Sequence, residues 1–166
     1  MPPPVAAAAA FDISYRPMTD ADLPFAAALY ATTRADELAA TGWPDALKTA
    51  FLDQQHRAQH AHYRAAYPDG EWLLIERRGA PVGRLYLAEE DAMLLIVDIA
   101  LLPDMRGTGL GTAILTDLLA AETRPVQLQV ERTNPARRLY ERLGFALVEE
   151  QAIRVRMVRQ PTATSA

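Results

Sequence analysis

Cysteine is absent from this chain, which excludes disulfides, Cys-ligated zinc or iron–sulfur centres and any thiol nucleophile of the protein's own. Sulfur chemistry, if there is any, has to arrive on a bound molecule. Lysine and arginine number 17 against 21 Asp and Glu, a formal net charge of −4 with no basic run. The cationic footprint that dominates binding to a phosphate backbone is therefore missing, and nucleic acid is not an expected partner. No apolar stretch approaches the ~20 residues that span a bilayer. The longest, Met93 to Leu102, is interrupted by Asp98, so no membrane association is expected. No Lys or Arg precedes Arg16. The Pro- and Ala-rich residues 1–10 thus lack the basic front of a secretory leader and read as a disordered or expression-derived tail on a cytoplasmic protein.

What remains is an ordinary globular composition, 50% hydrophobic and 23% charged over 166 residues. A chain of this size buries roughly 70% of its unfolded surface. One domain over 11–160 is expected, with a frayed end at 161–166.

Residues 11–16 alternate apolar and polar, the period of a half-buried strand. Thr19 and Asp22 form a capping-box pattern ahead of Pro24, so a helix should begin near Ala21 to Pro24 and run to about Leu38. A second helix after Pro44 carries Leu47, Phe51, Gln54, Ala58, Ala61 and Ala65 on one stripe, expected to face inward. His56 and His60 stand four apart as metal ligands can. Arg57, however, occupies the place where a zinc protease has Glu, so the pair reads as a solvated helix face and no metal site is expected. The turn at 67–70 precedes a hairpin of 72–75 with 82–87. Met93 to Leu102 reads as a buried central strand, and 110–122 as a helix with an apolar stripe that Pro125 stops. A strand over 126–130, a helix from Asn134-Pro135 closed by Gly144, and strands over 145–148 and 153–158 complete the order.

Between the central strand and the striped helix lies Arg106-Gly107-Thr108-Gly109-Leu110-Gly111. Strand, glycine loop and helix N-terminus are the parts that grip a phosphate group. The first helical N–H groups lack intrahelical partners and carry about half a positive charge, and glycines permit positive φ and close backbone approach. Arg106 adds a cationic fork. A Walker A loop would need Gly-Lys-Ser/Thr, and there is no lysine here. A dinucleotide fingerprint would need glycine where the chain has Thr112, and too little chain follows Gly111 for the second half of a doubly wound sheet.

At these residues the chain resembles the GCN5-related N-acetyltransferases (GNAT family). Their coenzyme A loop, R/Q-x-x-G-x-G/A, is similar to Arg106, Gly109 and Gly111 in this context. Their N-x-A-x-x-L-Y-x-x-x-G-F segment is similar to Asn134 through Phe145. The resemblance implies an α/β fold with a mixed, mostly antiparallel sheet of six or seven strands and helices on both faces. Strands four and five should run parallel and splay apart around the cofactor. It further implies acetyl-CoA as acyl donor. Backbone groups of Ile99 and Leu101 would pair with the pantetheine, amides from Gly107 through Thr108, Gly109, Leu110 and Gly111 to Thr112 would hold the pyrophosphate, Asn134 would bond the pantetheine arm and Arg137 would reach a phosphate. Tyr140 is implied as the general acid that protonates the departing thiolate. Where some relatives place a catalytic glutamate this chain has Leu95, which leaves Asp98 as a candidate base or a structural ion pair. Arg34, Glu37, Trp43 and Gln54 fall in the segment that borders the acceptor.

The implied reaction is direct acetyl transfer to a primary amine, on a small molecule or a peptide, and a homodimer is left open. The acidic net charge favours a cationic acceptor such as a polyamine, an aminoglycoside or a peptide terminus. Two other readings stay open, a non-catalytic acyl-CoA sensor and a dinucleotide-binding protein.

Overall fold

In the computed structural model, which describes residues 1–163, the alternating segment forms β1 (Ile13–Pro17). The capping box is present: Thr19 and Asp22 satisfy each other's backbone ahead of α1 (Leu23–Ala39), whose first turn accepts Pro24. Helix α2 (Asp45–Ala66) leads to a hairpin of β2 (Glu71–Arg77) and β3 (Ala80–Glu90), then β4 (Met93–Leu101). Beyond the glycine loop come α3 (Leu110–Ala121), β5 (Val126–Glu131), α4 (Ala136–Arg142), β6 (Ala146–Glu150) and β7 (Arg154–Arg159). Residues 161–163 form no helix or strand, and the rest of the expected frayed end, 164–166, lies outside the described residues.

The strands make one seven-stranded sheet in the order β1-β2-β3-β4-β5-β7-β6. Every neighbouring pair is antiparallel except β4 and β5, which are parallel because α3 carries the chain back between them. That parallel ladder is short. It joins Leu94, Leu95 and Ile96 to Val126, Gln127 and Leu128 and then stops, although β4 runs on to Leu101 and β5 to Glu131. The sheet therefore opens at the C-terminal ends of both strands.

One sheet face packs on α3, where Leu110, Ile114 and Leu115 are fully buried against Leu85, Leu87, Ile96 and Leu128. The other face packs on α1 and α2, with Tyr63 stacked on Trp72 at 6.4 Å between ring centroids and Trp72 meeting Tyr86 edge-on at 4.9 Å.

A β-bulge decides which face receives Asp98. Tyr86 pairs with Asp98 and Leu87 with Ile96, leaving Val97 as the extra residue of β4. Strict alternation from Leu94 and Ile96 would drive Asp98 into the apolar core beneath α3. The bulge turns it instead to the α2 face and returns Ile99 and Leu101 to the core side. A carboxylate inside the longest apolar run is tolerated for that reason.

Two sequence expectations are corrected. The inward face of α2 is not the stripe of Leu47, Phe51, Gln54, Ala58, Ala61 and Ala65, of which Leu47 is 49% exposed. It is the set Leu52, His56, Gln59 and Tyr63, three and four residues apart, with His56 only 6% exposed. His56 is accordingly no solvated residue. Its ring tilts against Tyr30, and burial, followed by the Arg84 charge, lowers its pKa and keeps it neutral.

The second correction concerns residues 1–10. In place of a loose tail, Ala7–Phe11 forms a 3-10 turn docked on α3, with Ala8 fully buried. The amides of Ala6, Ala7 and Ala8 donate to the Asp117 carboxylate at 3.0, 2.7 and 2.9 Å. Burial alone would raise the Asp117 pKa, yet the three amides outweigh it and the net shift is downward. The stability this contributes is present above the unfolded carboxylate pKa of about 4 and is lost as pH falls through the lower folded value. Asp117→Ala strands three donors at once. It should cost about 2 kcal/mol or more by chemical denaturation and flatten the acid limb of stability below about pH 4. An unchanged denaturation midpoint would show that the docked turn contributes nothing.

Candidate active site

The glycine loop meets α3 through two residues that require positive φ, Gly107 at +69° and Gly109 at +92°. Gly109 is the N-cap of α3. Gly111 is different: it lies inside the first helical turn with ordinary φ, so the nest is built on two glycines rather than three. The first α-helical bond runs from Ala113 N–H to the Gly109 carbonyl at 3.0 Å. The amides of Leu110, Gly111 and Thr112 precede it, and among the described residues only Leu110 finds a hydrogen-bond partner, the Thr108 hydroxyl at 3.4 Å. Thr108 in turn donates to the Met105 carbonyl at 2.7 Å, which fixes the loop. No atom lies within 4 Å of a Cβ placed at Gly107, so the space over the loop is open. The result is a concave row of donors at the positive end of a helix, suited to an anion.

Beside this loop runs the unpaired end of β4. Leu102 donates its N–H to the Val82 carbonyl at 2.8 Å. By the alternation of an antiparallel ladder, Ala100 and Asp98 also turn their backbone groups toward β3, and Ile99 and Leu101 turn theirs toward the gap. Arg106 donates from Nε to the Leu101 carbonyl at 3.0 Å and from Nη2 to the Thr32 hydroxyl at 2.8 Å. Its fork thus ties the loop to β4 and α1 instead of standing free over the amides.

Across the gap stands α4. Asn134 Oδ1 accepts the Ala136 N–H at 2.9 Å, capping the helix and leaving the side-chain NH2 for other partners. Arg137 donates to the Arg132 carbonyl at 3.2 Å. Tyr140 is 9% exposed and meets Phe145 edge-on at 5.9 Å between centroids, while its hydroxyl bonds no protein group among the described residues. Burial, and after it the charge of Asp98, pushes its pKa up to about 12.

On the opposite sheet face Asp98 forms an ion pair with Arg84, which is 2% exposed. Arg84 also donates to Gln59 Oε1 at 3.1 Å and lies 5.0 Å from the Tyr86 ring centroid. Sequence reasoning missed Arg84, although a basic residue in the buried alternation of β3 was the signal. Burial works against its charge, and Asp98 with the two tyrosines Tyr86 and Tyr63 more than offsets that. Asp98 is thus an ion-paired carboxylate whose charge reaches tyrosines on both faces. Tyr63 too is pushed up to about 12, by burial and then by Asp98.

Next to this pair is a cavity of about 370 Å³ at the opening of the sheet, lined by α1, α2, β4, β5 and the start of β7. Leu95, at the position where an acid was sought, forms part of its wall. The four expected acceptor contacts do not line it. Arg34 bonds Glu37 and the Tyr30 hydroxyl, Trp43 sits edge-on to Phe51 at 5.4 Å, and Gln54 is exposed. Gln55, Gln59, His62 and Tyr63, one helical face over, line it. A larger cavity of about 600 Å³ lies at the other end of the sheet, walled by Met1 to Pro4 and the C-terminal turn of α3, away from the loop and from Tyr140. No group of three His, Asp or Glu residues able to hold a metal occurs among the described residues, and none of their helices is long and apolar enough to cross a membrane.

Residues 68–147, which contain the glycine loop, the opened strands and Tyr140, match the acetyltransferase (GNAT) domain model. Over this stretch the chain is similar to the GNAT acetyltransferases. Solved structures agree on the fold. A PaiA N-acetyltransferase from Thermoplasma acidophilum, in complex with coenzyme A, superposes with a TM-score of 0.67 at 13% identity, covering 89% of this chain and 98% of that one. An acetyltransferase from Thermus thermophilus gives 0.66 at 21% identity, covering 89% and 96%. No curated protein matches the chain in sequence. The GNAT fold expected from the two motifs, with its parallel pair opening between the fourth and fifth strands, is the fold observed.

Proposed function

We propose that this protein transfers an acetyl group from acetyl-CoA to a primary amine by direct attack within a ternary complex. The observation that carries the reading is the juxtaposition of an unpaired strand edge at Ile99 and Leu101 with the open amides of the glycine loop. A linear ligand with amides at one end and a pyrophosphate at the other fits both. Acetyl-CoA, when bound, supplies the activated thioester. Backbone groups of Ile99 and Leu101 hold the pantetheine, with the Leu101 N–H aimed at the thioester carbonyl, and Gly107 to Thr112 hold the pyrophosphate. The free NH2 of Asn134 faces the arm, and Arg137 reaches toward a phosphate.

With no cysteine, the chain has no thiol for an acyl-enzyme, so the amine nitrogen bonds directly to the acetyl carbon while the C–S bond breaks. Tyr140 gives its proton to the departing sulfur, and the amine's proton leaves through water. Asp98, held by Arg84, serves as a positioning residue that orients the amine and the tyrosines.

Scanning fluorimetry with acetyl-CoA, NAD and ATP, followed by thiol release over an amine panel, tests this. Acetyl-CoA should raise the melting temperature by an amount that keeps growing with the logarithm of its concentration above Kd, while NAD and ATP leave it unchanged. Stabilisation by NAD alone would favour the dinucleotide reading. Stabilisation by acetyl-CoA with no turnover on any amine would favour the sensor.

A further inference from the structure

The cavity at the sheet opening has a lopsided charge. Of its lining residues Arg154 alone is a permanent cation, and no Asp or Glu is among them. Asp98 of β4 does not line it and is already paired with buried Arg84. Arg154 starts β7 at the cavity rim, and its guanidinium makes no hydrogen bond or ion pair among the described residues. Of the acids around it, Glu149 accepts from Arg156 at 3.3 Å and Glu150 faces Arg132 at 3.9 Å, while the cross-strand neighbour Glu131, exposed and without an ion pair among the described residues, does not line the cavity. Tyr63 points into the same space, and the Arg154 charge lowers its pKa against the larger effect of burial. Glutamine side chains at 55, 59 and 129 supply neutral donors and acceptors.

A second ammonium group placed here would meet Arg154 and no carboxylate among the lining residues. A carboxylate or phosphate would meet a free guanidinium fork, the geometry that recognises such groups in pairs of parallel bonds. We infer that the acceptor is an amine that also bears an anionic group, carboxylate or phosphate, which Arg154 receives at the cavity rim while the amine reaches inward toward the gap between β4 and β5. The inference rests on the acetyltransferase reading above. It reverses the preference for a cationic acceptor that net charge suggests, because a pocket responds to the groups that line it and not to the sum over the chain.

The test compares matched acceptors at saturating acetyl-CoA: amino acids against their carboxamides, aminoalkyl phosphates against the corresponding amino alcohols, and polyamines. Anionic acceptors should give kcat/KM about 10- to 100-fold above their neutral partners, the scale of a charge-assisted bond. The carboxylate and phosphate arms identify which anion is preferred. Arg154→Gln should erase that difference through KM with kcat little changed, Arg154→Lys should restore part of it, and neutral acceptors should respond to neither. Turnover of polyamines or neutral amines equal to that of their anionic counterparts overturns the inference while leaving the acetyltransferase reading intact. An Arg154→Gln loss shared equally by neutral and anionic acceptors overturns it as well. If no amine is acetylated although acetyl-CoA binds, the acetyltransferase reading falls and takes this inference with it.

Discussion

Tyr140→Phe is expected to lower turnover by about 10²-fold or more and to leave acetyl-CoA affinity nearly intact. The ring provides the packing, at 9% exposure and edge-on to Phe145, and Phe keeps it. The hydroxyl bonds no other protein group among the described residues, so its removal leaves no donor stranded and should shift the melting temperature little. With a pKa pushed to about 12, the phenol stays protonated throughout the range in which the enzyme can be assayed. The proton is therefore always present to give. Turnover should show no alkaline decline from this group below about pH 10, because deprotonation, which would remove the acid, begins only as pH nears the raised pKa. Steady-state turnover at saturating substrates, with chemistry shown to be rate-limiting, decides the matter. Full activity in the Phe variant would remove Tyr140 from the proton transfer. A variant that unfolds would make its hydroxyl structural.

Gly109→Asp should abolish measurable acetyl-CoA binding, a loss of about 10²-fold or more in affinity. Two effects combine. At φ +92° an L residue is strained by about 1–2 kcal/mol, and the carboxylate would stand at the N-terminus of α3 where the pyrophosphate is proposed to bind. Like charges about 4 Å apart at a protein surface repel by roughly 4 kcal/mol, so the charge should dominate. The fold should survive: a Cβ at this position meets only Phe11 Cζ, at an ordinary 3.8 Å. Gly109→Asn, which shares the strain without the charge, separates the two effects by calorimetric titration. Equal losses in the Asp and Asn variants would mean that backbone conformation, and not repulsion, governs binding. Retained affinity in both would remove Gly109 from the anion site.

The parts of the site that were legible in the sequence are those in which local chemistry and chain order coincide. A buried strand, a loop whose glycines take positive φ and a striped helix are contiguous, so Ile99 through Thr112 declared their arrangement without tertiary information. The capping box at Thr19 and Asp22 and the cap at Asn134 were legible for the same reason. What escaped depends on partners distant in sequence. Nothing in the Ala-rich start of the chain shows that its amides meet a carboxylate 109 to 111 residues later. Asp117 itself looks like an ordinary polar residue of α3.

Helix α2 misled because apolar periodicity normally marks the buried face, whereas here the inward set is largely polar, His56 against Tyr30 and Gln59 and Tyr63 at the cavity, and Leu47 is left outside. Asp98 was conspicuous, but its orientation depends on a bulge at Val97 that no residue type announces. The cavity at the sheet opening was the least legible part. Its lining comes from five elements far apart in the chain, each residue ordinary where it stands.

Only three rungs join β4 to β5, so the seven strands behave mechanically as two antiparallel packets, β1 to β4 and β5 to β7, hinged along one short seam. Cohesion between the packets comes from that seam and from the core beneath α3. A ligand lying along Ile99 and Leu101 as a further strand extends the seam, and on the proposed reading the acyl donor is then a structural member of the sheet while it is bound. The working enzyme would be stiffest with donor in place and would regain compliance at product release, when the departing coenzyme takes its rungs with it.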